Sequence, residues 1–167
     1  APALVPSNAS LASQPLPLSF AQQSLWFLDR LYPGITAANE QFAIRLDGPP
    51  DIERLSRVWH QLVSRHSILH TRFDVLEGEP VQLADTALIP EVELMPDADL
   101  RATALNEIST AFDLQRGPLL RAALLSDGGT DVLLITVHHI LADGLSVELI
   151  RDELAALYSG DVLALPE

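Results

Sequence analysis

With 167 residues, a net charge of −13 and 48% hydrophobic side chains, the chain has the apolar mass for one compact domain and a charge that opposes binding to nucleic-acid backbones or anionic lipid. All ten basic residues are arginine, which excludes a catalytic lysine, and the absence of cysteine excludes thiolate nucleophiles, disulfides and Cys-based metal sites. No run reaches the roughly 18 apolar residues of a membrane span. The first 29 residues carry no basic side chain, so no basic secretory leader is expected and a cytoplasmic setting is.

Residues 1–15, rich in Ala, Ser and Pro without periodicity, are expected to form a flexible leader or linker. Ser19 and Gln22 have the spacing of a capping box. They predict a helix to about Leu31, with Ala21, Leu25, Leu28 and Tyr32 inward, Trp26 beside them, and Pro33-Gly34 as the stop. Gln41 to Leu46 alternates as a half-buried strand. Asp51 is placed to cap a helix from Ile52 to about Arg65 whose inner face is Leu55, Val58, Trp59, Leu62 and Val63.

Leu69 to Leu76 predicts a strand, and Glu77-Gly78-Glu79-Pro80 a turn into Val81-Gln82-Leu83, an edge strand because Pro80 cannot donate to a ladder. A short strand is expected from Ile89 to Leu94 and a helix from about Ala98 to Thr110. Leu119–Leu125 and Asp131–Val137 predict an antiparallel pair joined by a Gly-containing loop, and Leu145–Tyr158 a last helix stopped at Gly160. Helices and strands intersperse, so the fold class is α/β or α+β with a mixed sheet.

His138-His139-Ile140-Leu141-Ala142-Asp143-Gly144 lies between the buried strand Val132–Val137 and that last helix. Successive side chains of an extended segment point to opposite faces, so one imidazole is expected to work and the other to pack. His139, next to the loop, is the candidate catalytic residue, taking a proton from an attacking amine or hydroxyl or holding that nucleophile by a hydrogen bond. His138 is expected against the sheet. Asp143 fits either a helix cap or a direct chemical role, and Gly144 either a positive φ or clearance for a substrate chain. No metal site is expected, because two adjacent histidines without further ligands chelate poorly. A serine hydrolase elbow and a Gly-rich phosphate loop are absent from the sequence.

This heptad resembles the HHxxxDG signature of condensation domains of nonribosomal peptide synthetases, whose fold is similar to chloramphenicol acetyltransferase. Three further stretches resemble that family's motifs in the expected order. Ser19 to Leu28 is similar to SxAQxxLWxL, Arg65 to Phe73 to RHExLRTxF, and Phe112-Asp113-Leu114 with Gly117 to Arg121 to FDLxxGPLLR. In the second motif Ser67 and His70 stand where the family has glutamate and arginine. The resemblance implies a cationic partner for Asp143, with His70 or Arg72 as the candidates.

What the resemblance implies for the whole is a single lobe of that fold, a mixed and largely antiparallel sheet flanked by helices. Residues 16–160 would be the N-terminal lobe of a condensation domain, and 161–167 a tail leading to a second lobe that completes the substrate tunnel. The implied reaction is amide formation between two acyl or aminoacyl thioesters, each tethered by phosphopantetheine to a donor or acceptor carrier protein, with no directly bound cofactor. An adjacent adenylation domain is an implied partner, and nucleic acid and membrane are not. An epimerisation domain, a CoA-dependent acyltransferase and a non-catalytic carrier-recognition module are the alternatives.

Overall fold

The computed structural model describes residues 14–160; residues 1–13 of the expected leader and the expected 161–167 tail lie outside them. Chain order is β1 (Leu16–Pro17), α1 (Phe20–Leu31), β2 (Asn39–Leu46), α2 (Ile52–Arg65), β3 (Thr71–Leu76), β4 (Glu79–Ala84), β5 (Val92–Pro96), α3 (Leu100–Ser109), β6 (Leu120–Asp127), β7 (Thr130–His138) and α4 (Gly144–Ser159). Two sheets form, one ordered β2-β7-β6-β5 and one β1-β4-β3. Every pairing is antiparallel except β5 with β6.

The larger sheet carries helices on both faces, and the alternation of side chains decides which goes where. Leu120, Ala122 and Leu124 of β6 with Leu133, Ile135 and Val137 of β7 point to the main core. There they meet Leu55, Val58, Trp59, Leu62 and Val63 of α2 and Ile150 and Leu154 of α4. The intervening Ala123, Leu125 and Leu134 point the other way, to Leu100 and Ala104 of α3. β6 and β7 are buried on both faces for this reason, and their two-residue turn, Gly128-Gly129, uses positive φ at both glycines.

Helix α2 matches its sequence reading: Asp51 caps it through Arg54 N–H and all five expected inner residues are buried. Helix α1 begins at the expected capping box, with Ser19 and Gln22 each bonding the other's backbone, but its inward face is rotated. Trp26 is buried, whereas Ala21 and Tyr32 are exposed, the latter by 61%. The reason is that polar groups share the inner side. Gln22 donates to Ile140 O at 3.4 Å, and Asp29 is drawn in far enough that burial, then the charge of Asp113, pushes its carboxyl pKa up.

Other boundaries shift. Ser67–His70 is a short 3-10 helix, not the start of a strand, and β5 starts three residues later than the expected Ile89. β4 is central, not an edge, because β1 pairs with Val81 and Gln82; Pro80 lies beyond that pairing, where its missing N–H is harmless. Among the described residues no helix is long and apolar enough to cross a membrane.

Candidate active site

β7 delivers its last residue, His138, on the same side as Leu134 and Thr136. At 2% exposure it is part of the interior. Its N–H donates to Leu119 O at 3.0 Å, and its Nδ1 accepts from Ile140 N–H at 3.1 Å. The acceptor role at Nδ1 puts the single hydrogen of the neutral ring on Nε2. Burial, and secondarily the neighbouring His139, lowers the pKa to about 4, so the ring is neutral at pH 7. Phe112 meets it edge-on, ring centres 6.2 Å apart. The ring shapes the loop through Ile140 and has no free lone pair for a substrate.

His139 turns the other way. Its N–H donates to Ala38 O at 2.7 Å, fixing the backbone against β2, and its side chain is 39% exposed. Nδ1 lies 2.6 Å from Glu40 Oε1. That nitrogen is itself enclosed, and the approach is oblique for a directed hydrogen bond, so the two groups meet as a close polar contact. Nε2 has no hydrogen-bond partner among the described residues. A neutral imidazole in this setting can receive a proton from an approaching amine or hold it by a hydrogen bond.

Asp143 caps α4. Its Oδ1 accepts from Ser146 N–H at 2.9 Å and Ser146 Oγ–H at 2.7 Å, bonds that hold its carboxyl below the usual range. The expected cationic partner is absent among the described residues. His70 is buried at 5% exposure, its Nδ1 without a hydrogen bond, and Arg72 donates to Asp74 Oδ2 at 2.8 Å and Gln115 O at 3.4 Å. Local partners win in both cases: the donor Ser146 is three residues from Asp143, and the acceptor Asp74 lies on the same face of β3 as Arg72. Gly144 also departs from one expectation. It is the first residue of α4 without a positive φ, and a Cβ there would meet nothing within 4 Å. Open space beside it leaves clearance, not backbone strain, as its distinguishing property.

The structure thus gathers His138, His139, Asp143 and Gly144 at one strand-to-helix junction and leaves His70 and Arg72 outside their hydrogen-bonded set. It adds three side chains. Glu40 comes from β2, which no spacing along the sequence connects to His139. Gln22, read as a cap, also reaches the loop carbonyl of Ile140. Arg121, from the FDLxxGPLLR-like stretch, stacks 3.9 Å over Phe112 and donates to Glu107 Oε2, Glu107 O and Thr110 O.

Beside the loop, Leu141, Ala142, Ser146, Leu149 and Glu153 help to line a cavity of about 160 Å³ that does not include His139. Glu153, 4% exposed, pairs with His66 Nε2 at 2.6 Å and Arg65 Nε at 3.5 Å, tying the end of α2 to α4. Leu145 and Leu149, one turn apart on α4, are 73% and 67% exposed.

Solved condensation domains share this architecture. The first condensation domain of the calcium-dependent antibiotic synthetase, solved with a substrate analogue, is 26% identical with a TM-score of 0.77, over 93% of this chain and 40% of that one. The starter condensation domain of rhizomide synthetase is 21% identical with a TM-score of 0.80, over 93% and 42%. In sequence, a linear gramicidin synthase of Brevibacillus parabrevis is 40% identical across 93% of this chain and 2% of its own length. Phosphinothricin tripeptide synthetase PhsC of Streptomyces viridochromogenes is 40% identical across 86% and 14%. The chain therefore spans about two-fifths of the solved domains and a small fraction of the synthetases. The family pattern described as Condensation domain matches residues 12–167, and the chain belongs to that family.

Proposed function

We propose that this chain is the histidine-bearing N-terminal lobe of an enzyme that joins two thioester-bound substrates through an amide bond. The observation that carries the reading is the junction itself. Two adjacent histidines are sorted into a neutral, buried 2% exposed ring and a 39% exposed one whose Nε2 is free to meet a reactant. In the proposed step the amine nitrogen of the acceptor substrate attacks the donor's thioester carbonyl carbon. The C–N bond forms, the C–S bond breaks, and the phosphopantetheine thiolate leaves. The amine's surplus proton passes to His139 Nε2 and from there to the thiolate, which balances the reaction.

Two carrier proteins present the substrates on their phosphopantetheine arms, and an adenylation domain in the same assembly loads the acceptor's carrier. Tethering both reactants lets position contribute heavily, since well-oriented intramolecular reactions reach effective molarities of about 10⁵ M or more. His139 stands at the surface, so a second lobe is needed to close a passage around it. The exposed Leu145 and Leu149 beside the loop suit such a cover. His138 and the Asp143 cap hold the loop, and the empty space at Gly144 gives a substrate arm room to pass. We place the protein in the cytoplasm.

The test is amide formation by the complete two-lobed domain with both carriers loaded. His139→Ala is expected to slow the chemical step by about 10²- to 10⁴-fold, the usual range for a general base. An unchanged rate sinks the reading, and epimerised substrate without chain extension reassigns the lobe to a different reaction.

A further inference from the structure

We infer that Glu40 is a positioning residue that fixes the tautomer of His139. The inference rests on His139 acting at the amine, as proposed above. Glu40 Oε1 is 2.6 Å from His139 Nδ1, and that nitrogen is enclosed, so Glu40 is the acceptor within its reach among the described residues. A carboxylate can only accept, so the ring nitrogen facing it carries the hydrogen. The neutral ring then has its lone pair on Nε2, the edge left without a partner. With the opposite tautomer an Nε2–H would meet the amine, and no proton could be taken.

The backbone around Glu40 is pinned on both sides. Asn39 donates through Nδ2 to Ile108 O at 2.9 Å and Thr110 O at 3.0 Å. Gln41 donates through Nε2 to Ala104 O at 3.0 Å and Thr136 Oγ1 at 3.1 Å. Both side chains reach across to α3, and strand alternation sends the Glu40 side chain to the opposite face. Glu40 pairs with Val137 in the ladder and Asn39 with His138, so β2 presents its carboxylate level with the point where β7 hands over to the loop. Neither anchor touches His139 by its side chain, which separates holding Glu40 from aiming it. The oblique contact is of the kind that straightens when a reactant occupies an active site. Once the ring has accepted the amine's proton, the same carboxylate lies against an imidazolium and favours it.

The experiment uses the complete two-lobed domain with ¹⁵N-labelled histidine. Ring ¹⁵N shifts report the protonated nitrogen, and the same samples are assayed with loaded carriers. The wild type is expected to show His139 as Nδ1–H. Glu40→Leu, which removes the acceptor, is expected to lose that tautomer and lower kcat about 10- to 100-fold, below the full general-base contribution of about 10²–10⁴, with KM for the carriers unchanged. Glu40→Gln keeps an acceptor oxygen without the charge and is expected to retain the tautomer with a smaller kcat loss. An Nε2–H ring in the wild type, a tautomer that survives Glu40→Leu, or a kcat that does not fall with it overturns the inference. The nitrogen shifts are read without turnover, so they stand even where His139→Ala removes the catalytic reading.

Discussion

Helices α1 and α2 are close in length, 12 and 14 residues, and both are amphipathic, yet they sit in the molecule in opposite ways. α2 buries its apolar stripe from Leu55 to Val63, with Leu62 and Val63 at 0% exposure. α1 buries Trp26 and leaves Phe20, Phe27 and Leu31 outside at 90%, 63% and 55%. At helical spacing those three form one outward stripe. α2 belongs to the sealed interior and α1 to the edge where the His139 loop emerges, contacting it through Gln22. A stripe of large side chains is therefore no guide to which face is core until the polar partners on the opposite side are known.

The strongest way to break this contrast is at Trp59, 1% exposed with its indole N–H donating to Pro90 O at 2.6 Å. Trp59→Ala is expected to cost about 3–5 kcal/mol, from a large cavity and an orphaned carbonyl. Chemical denaturation followed by far-UV circular dichroism measures it, and a loss under about 1 kcal/mol would mean that α2 is not the keystone of the interior.

Next in size is the boundary between the two regions, at His138. In the unfolded chain this ring takes up a proton near pH 6.5, but in the fold only near pH 4. Between those values the unfolded state binds more protons, so stability is whole above about pH 6.5 and falls as the pH drops through the window. The loss approaches about 3 kcal/mol near pH 4. Comparing the pH dependence of unfolding with that of His138→Gln isolates it; parallel curves would place His138 in water.

Smallest is the open edge. Phe27→Ser is expected to change stability by about 0.5 kcal/mol or less in this chain, as for other exposed positions. A loss above about 2 kcal/mol would show that the outward stripe packs on something within the lobe. The same substitution in the complete domain sharpens the comparison, since a loss that appears only there identifies the stripe as covered by the rest of the domain.

The sequence was most readable where one local rule acted without competition. Asp51 and the Leu55 to Val63 stripe lead directly to α2, and the Gly-rich turn between two apolar runs leads to the β6–β7 pair. Alternation also separates His138 from His139, which the structure finds buried and half-exposed. Readability failed where two rules competed. On α1 the apolar residues outnumbered the places inside, and the inward position of Gln22 depends on the carbonyl of Ile140, far along the chain. Around Asp143, an ion pair expected from resemblance lost to a hydroxyl three residues away. Glu40 could not be found from spacing at all, because only the β2–β7 register brings it to His139.

Arg121 does several things with one side chain: two hydrogen bonds grip the last turn of α3, a third meets the Glu107 carboxylate, and its flat face lies on Phe112, which leans on His138. Lysine, a compact ammonium with neither plane nor fork, could reproduce the charge but not the clasp. The end of α3 and the imidazole that shares its face of the sheet are consequently linked through this guanidinium, and a slip of one would be felt by the other.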